Sequence, residues 1–138
     1  MITVLLFLLL LSVLVFAHEL GHFWVAKWAG MKVEEFGFGF PPRLFGVKKG
    51  ATLYSFNAIP LGGFVRIAGE NGENRDDPNS FAAKSRFKRF LVLIAGVTMN
   101  MLLAWGLLSV GFMIGLPSVL DDSVPARSNV QGEHIEIL

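Results

Sequence analysis

The chain has 138 residues and a formal net charge of +1, is 53% hydrophobic and only 17% charged, against about 25% charged residues in ordinary globular proteins. Neither residues 1–17 nor residues 90–117 contain a charged side chain, which excludes an ordinary soluble domain, a disordered tail and a nucleic-acid-binding module. Cysteine is absent, so disulfides, a thiolate nucleophile and a Cys-ligated metal are excluded as well.

These blocks predict a membrane protein, mainly α, with two transmembrane helices joined by a cytoplasmic, β-hairpin-rich, membrane-associated loop. The first helix falls within residues 1–29. Crossing the hydrocarbon core takes about 20 residues at 1.5 Å each, and Ile2 to Trp28 is long enough. A cleaved signal peptide fits poorly, because the run lacks a basic start and exceeds a typical apolar region of that kind.

Near the end of this helix stands His18-Glu19-Leu20-Gly21-His22. Histidines at i and i+4 share one helical face, so both imidazoles reach a single Zn²⁺, while Glu19 is placed to act as general base on the attacking water. Ionisable side chains in a membrane span are costly and point to function. Three in five residues, with only Lys27 nearby as a basic partner, call for a cation. Helix–helix hydrogen bonding is the plainer alternative.

Residues 30–68 read as β-rich. Lys32–Phe40 alternates Phe with Gly, a strand pattern that Pro41-Pro42 is expected to stop. Thr52–Ile59 is a second strand, Pro60-Leu61-Gly62-Gly63 a turn, and Phe64–Ala68 a third strand. The glycines leave the backbone of Phe36, Gly37, Phe38, Gly39 and Phe40 accessible for pairing with a substrate strand. Residues 69–89 combine a polar loop with a basic juxtamembrane helix. That helix is expected to start at Phe81, capped by Asn79 or Ser80, with its basic residues on anionic membrane lipid and Phe81 and Phe87 at the interface.

The second transmembrane helix is expected over residues 90–116. Its polar Thr98, Asn100 and Ser109 are suited to bonding within the helix or to a neighbour. Residues 117–138 form a tail containing Asp121, Asp122, Glu133 and His134. Eleven of the twelve Lys and Arg lie from Lys27 to Arg89. The positive-inside rule therefore places loop 30–89 in the cytoplasm of a multi-pass inner-membrane protein, with the N-terminus and tail extracytoplasmic.

Beyond His18–His22, three further segments carry a resemblance. Phe36-Gly-Phe-Gly-Phe-Pro-Pro42 resembles the Gly-rich start of a membrane-reentrant β-hairpin. Asn57-Ala-Ile-Pro-Leu-Gly-Gly-Phe-Val-Arg66 and Ser80–Arg89 followed by Ala95-Gly-Val-Thr-Met-Asn100 resemble the next two signatures of the same family. The chain is similar to the N-terminal portion of bacterial site-2 proteases, the intramembrane zinc metalloproteases. The resemblance implies Zn²⁺ as cofactor, His18 and His22 as metal ligands, Glu19 as the catalytic base, and Asn100 as a supporting residue of the second helix. The partner it implies is a transmembrane protein or peptide substrate.

Two departures stand out. The family usually has Pro at the position of Val97. Its third ligand, an Asp in an LDG motif of a later helix, has no counterpart here, and the tail acids lie on the wrong side of the expected membrane. The expectation is therefore an incomplete chain, cut near the start of a PDZ-like domain and inactive alone. The rival expectations are a non-catalytic membrane adaptor or degenerate relative, and a metal transporter.

Overall fold

Two long apolar helices stand side by side, and the chain between them folds into a sheet packed against the first. The computed structural model describes residues 1–115, so the tail with Asp121, Asp122, Glu133 and His134 lies outside the described residues. Helix α1 spans Ile2–Trp28 and helix α2 spans Arg86–Ile114. Both are long and apolar enough to cross a membrane. Strand β1 spans Val33–Lys49 and strand β2 Thr52–Ile67. A single 3₁₀ turn covers Phe81–Ala83.

The sheet corrects the expected three separate strands. β1 and β2 are continuous and pair antiparallel, but each doubles over, so the register describes four arms. Phe36 pairs with both Val65 and Tyr54, and Phe38 with both Gly63 and Phe56, which puts the 33–38 arm between two others. Along the 35–38 and 53–56 contact the residue numbers rise together, so those arms run parallel. The 43–49 arm pairs with 52–57 on the far side. Pro41 and Pro42 do not end β1, because they fall at its exposed bend between Phe40 and Arg43. There a missing N–H breaks no ladder bond. Pro60–Gly62 bends β2 in the same way.

Buried polar groups lock the arms together. Thr52 donates to the Val33 carbonyl at 2.8 Å, Ser55 to Glu35 Oε1 at 2.7 Å, and Asn57 Nδ2 to the Gly39 carbonyl at 3.0 Å. Arg66 lies 3.6 Å from the other Glu35 oxygen. Phe16 and Phe23 of α1 meet Phe36 at ring-centroid distances of 5.6 and 4.7 Å, and Phe16 meets Phe38 at 5.5 Å. These contacts fix one face of the sheet against the helix that carries the histidines.

The buried core sits where the helices meet the loop: Ala26, Ala29, Met31, Val33, Ile67 and Val92, with Phe81 packed against it. Phe81 is thus partly buried against this core, whereas Phe87 is exposed. The expected helix from Phe81 is also corrected. Ser80 caps only the 3₁₀ turn, accepting from the Ala82 N–H, and Lys84 is extended before Ser85 caps α2 by accepting from Lys88 N. The basic residues Arg86, Lys88 and Arg89 therefore open α2 itself, at the end where the helix dipole disfavours cations. Lys88 offsets this by donating to the Ala29 carbonyl, 3.5 Å away at the end of α1.

The helices cross tightly at Gly21. A Cβ there would stand 2.5 Å from the Ala95 carbonyl oxygen and 2.9 Å from Met99 Cβ, so only glycine permits the approach. On α2, Thr98 and Ser109 bond back to the Ile94 and Trp105 carbonyls. Val97 is exposed in an unbroken helix, so that departure from the family pattern does not touch the histidines.

Candidate metal centre

His18 and His22 lie one turn apart on α1 and turn their rings toward α2. Their Nε2 atoms are 3.0 Å apart, and the rings stand at 72° with centroids 4.7 Å apart. His22 Nδ1 lies 2.6 Å from the Val92 carbonyl oxygen. A carbonyl only accepts, so Nδ1 carries the proton and Nε2 of His22 presents its lone pair. The other ring has a different neighbour: Asn100 Nδ2 lies 3.5 Å from His18 Nδ1.

Both Nε2 atoms converge on Gly96. A Cβ at that position would stand 2.5 Å from His18 Nε2 and closer still to His22 Nε2. The absent side chain is what leaves room in front of the two nitrogens. A pair of imidazole nitrogens facing one small space opposite a glycine is a donor set that suits a divalent cation such as Zn²⁺. Among the described residues there is no group of three His, Cys, Asp or Glu able to hold a metal, so this chain's described part offers two ligands.

Glu19 occupies the adjoining face of α1, turned toward the sheet. Its carboxylate meets the backbone of Val65. Glu19, His22, Phe64, Val65, Ile67 and Val92 line one cleft of about 230 Å³. The 63–67 arm of β2 pairs with 33–38 on one side only, so its other edge borders this cleft.

The sequence-predicted residues thus divide. His18, His22 and Asn100 come together, with Glu19 beside them. Phe36, Gly37, Phe38, Gly39 and Phe40 do not reach the centre. The backbones of Phe36, Gly37 and Phe38 are paired on both sides, Gly39 accepts from Asn57, and Phe40 pairs with Ile59. The backbone of Phe36–Phe38 therefore lies inside the ladder, whereas the 63–67 arm beside the histidines is paired on one side among the described residues.

Sequence reasoning missed four participants. Gly96 and the Val92 carbonyl carry no residue-type signal for metal chemistry. Val65 reaches Glu19 only through the fold of β2. Ser12 had a signal: it and Thr3 are the polar side chains in residues 1–17. Ser12 donates to the Pro60 carbonyl at 2.8 Å and accepts from Gly62 N–H at 3.0 Å, which pins the bend of β2 to α1.

A family model described as "Peptidase family M50" matches residues 6–136. Three similar proteins each bear the name "Putative zinc metalloprotease". One from Clostridium perfringens is 52% identical over 97 residues, covering 70% of this chain and 29% of the relative. One from Clostridium acetobutylicum is 44% identical over 115 residues, with 81% and 34% covered. One from Thermotoga maritima is 38% identical over 126 residues, with 86% and 25% covered. The chain spans about a quarter to a third of the length of these curated relatives.

Proposed function

Because the chain belongs to peptidase family M50, the site-2 protease family, we propose that it supplies the two-histidine part of a zinc metalloendopeptidase that cleaves membrane-embedded proteins. The observation that carries this reading is the convergence of His18 and His22 Nε2 on the space opposite Gly96. The names of the relatives point to the same metal.

When bound, Zn²⁺ polarises the scissile carbonyl and makes water a stronger acid. The protein's own residues do the rest. His18 and His22 hold the ion, and a third ligand comes from outside the described residues. Glu19 accepts the proton of the attacking water and returns it to the leaving amide nitrogen. The 63–67 edge receives the substrate as an added strand. A helical substrate has its carbonyls bonded internally and must be extended before one is attacked, and strand addition supplies that extended form. Two apolar helices and eleven Lys and Arg from Lys27 to Arg89 support a membrane placement with the loop cytoplasmic and both flanks extracytoplasmic.

The test is Glu19→Gln in the full-length protein, with cleavage of a membrane reporter and zinc content measured together. Proteolysis is expected to vanish while zinc stays bound, since Gln keeps the size and loses the base. Near wild-type cleavage would refute Glu19 as the base. A full-length wild-type protein that binds zinc but cleaves no membrane reporter would favour the adaptor reading.

A further inference from the structure

The two histidines are unequally supported. His22 has its Nδ1 proton fixed by the Val92 carbonyl at 2.6 Å, so its Nε2 is committed as a ligand atom. A metal-ligating histidine needs such an acceptor on its other nitrogen to set tautomer and ring orientation. Among the described residues, no carbonyl is paired with His18 Nδ1. That nitrogen faces the side chain of Asn100, on the next turn of α2 beyond Gly96.

Asn100 itself is half satisfied. Its Oδ1 is buried and accepts no hydrogen bond from the described residues, while Nδ2 is the atom toward His18. Leaving an amide oxygen buried and unpaired is costly. The oxygen and nitrogen of an amide exchange places by a half-turn about the last side-chain bond, with almost no change of shape. That half-turn puts Oδ1 against His18 Nδ1. Nδ1 then carries the proton, and the orphaned oxygen gains its partner. Nε2 of His18 is left with a lone pair beside that of His22. Two lone pairs 3.0 Å apart repel unless a cation lies between them.

We infer that Asn100 is the positioning residue for His18: its Oδ1 accepts from His18 Nδ1–H and so presents Nε2 to the metal. The inference rests on the zinc reading above and adds a member to that site. It also says what kind of residue works there. An acceptor is required, so a carboxylate replaces the amide and an alkyl group of similar size does not.

The experiment compares wild type, Asn100→Leu, Asn100→Asp, His18→Ala and His22→Ala in the full-length protein. Zinc affinity is read by competition with a chelator, and the His18 ring nitrogens by their ¹⁵N shifts in the zinc-loaded wild type and Asn100→Asp. Asn100→Leu is expected to weaken zinc binding by about 10–100-fold, with Asn100→Asp within a few-fold of wild type. Equal affinity in Asn100→Leu and wild type, or an equal loss in Leu and Asp, would overturn the role of Asn100 while the histidine variants still lose zinc. Unchanged zinc binding in both histidine variants would instead refute the zinc reading. Should Asn100→Leu fail to fold, the His18 Nδ1 shift in zinc-loaded wild type and Asn100→Asp decides: the stronger carboxylate acceptor is expected to move it, and an unmoved Nδ1 signal would overturn the inference. A protonated Nδ1 with Nε2 on the metal is expected, and ligation through Nδ1 would overturn the inference.

Discussion

Ser12 Oγ accepts from the Gly62 N–H at 3.0 Å, and the same hydroxyl donates to the Pro60 carbonyl at 2.8 Å. One side chain thus satisfies two backbone groups at the bend of β2, against the apolar body of α1. Gly62 has φ +95°, and a Cβ there would stand 2.6 Å from Val15 Cγ1. The bend is held closely enough that neither side offers slack.

Ser12→Ala leaves both backbone groups unpaired in apolar surroundings, at about 1–3 kcal/mol each. We expect a lower unfolding midpoint for the full-length protein in detergent and slower reporter cleavage, with zinc still bound. Ser12→Thr keeps the hydroxyl and should restore most of both. Equal effects of Ala and Thr would show that the pocket around Ser12 responds to size and not to the hydrogen bonds.

Gly96→Ala should abolish zinc binding and leave the fold intact. The new methyl would stand 2.5 Å from His18 Nε2, in the space the proposed metal would need. Zinc analysis together with a thermal melt checks this: unchanged zinc would place the metal elsewhere.

Val65→Pro should cut cleavage tenfold or more with zinc retained. Proline removes the N–H on the open edge that faces Glu19 and that an added strand would need. Val65→Leu keeps the backbone and should cost far less. Similar losses in both would assign the effect to packing in the cleft.

Gly21→Val should separate the helices. The Ala95 carbonyl oxygen lies 2.5 Å from any Cβ at position 21, and a backbone atom of a packed helix has little room to yield. Loss of zinc and of stability together is expected. Retained zinc would mean that the histidines do not depend on this crossing.

Much of this arrangement was legible in the sequence, for identifiable reasons. The helix carrying His18, Glu19 and His22 follows from hydrophobicity and length, and their shared face from the i, i+4 spacing. Asn100 stood out because a polar amide in an apolar run needs a partner. The ladder was not legible. The alternation of Phe and Gly in Phe36–Phe40 marks a strand, but period two says nothing of which arms lie on either side. Their order depends on where β1 and β2 bend, and so the interior arm looked like an open one. The start of α2 was misplaced for a local reason. Ser80 and Ser85 both offer caps, and only the extended Lys84 between them decides which begins the long helix.

The order of the arms also sets a sequence of assembly. Lys49 and Thr52 meet across a short turn, whereas Phe36 reaches Val65 only after the intervening hairpin has been laid down. Closing a short loop costs less entropy than closing a long one, so the hairpin of residues 43–57 is favoured to form early and the 63–67 arm to join late. The arm that lines the cleft beside Glu19 and His22 is therefore favoured to take its place among the last of the four, although the two side chains it covers stand on the first helix of the chain.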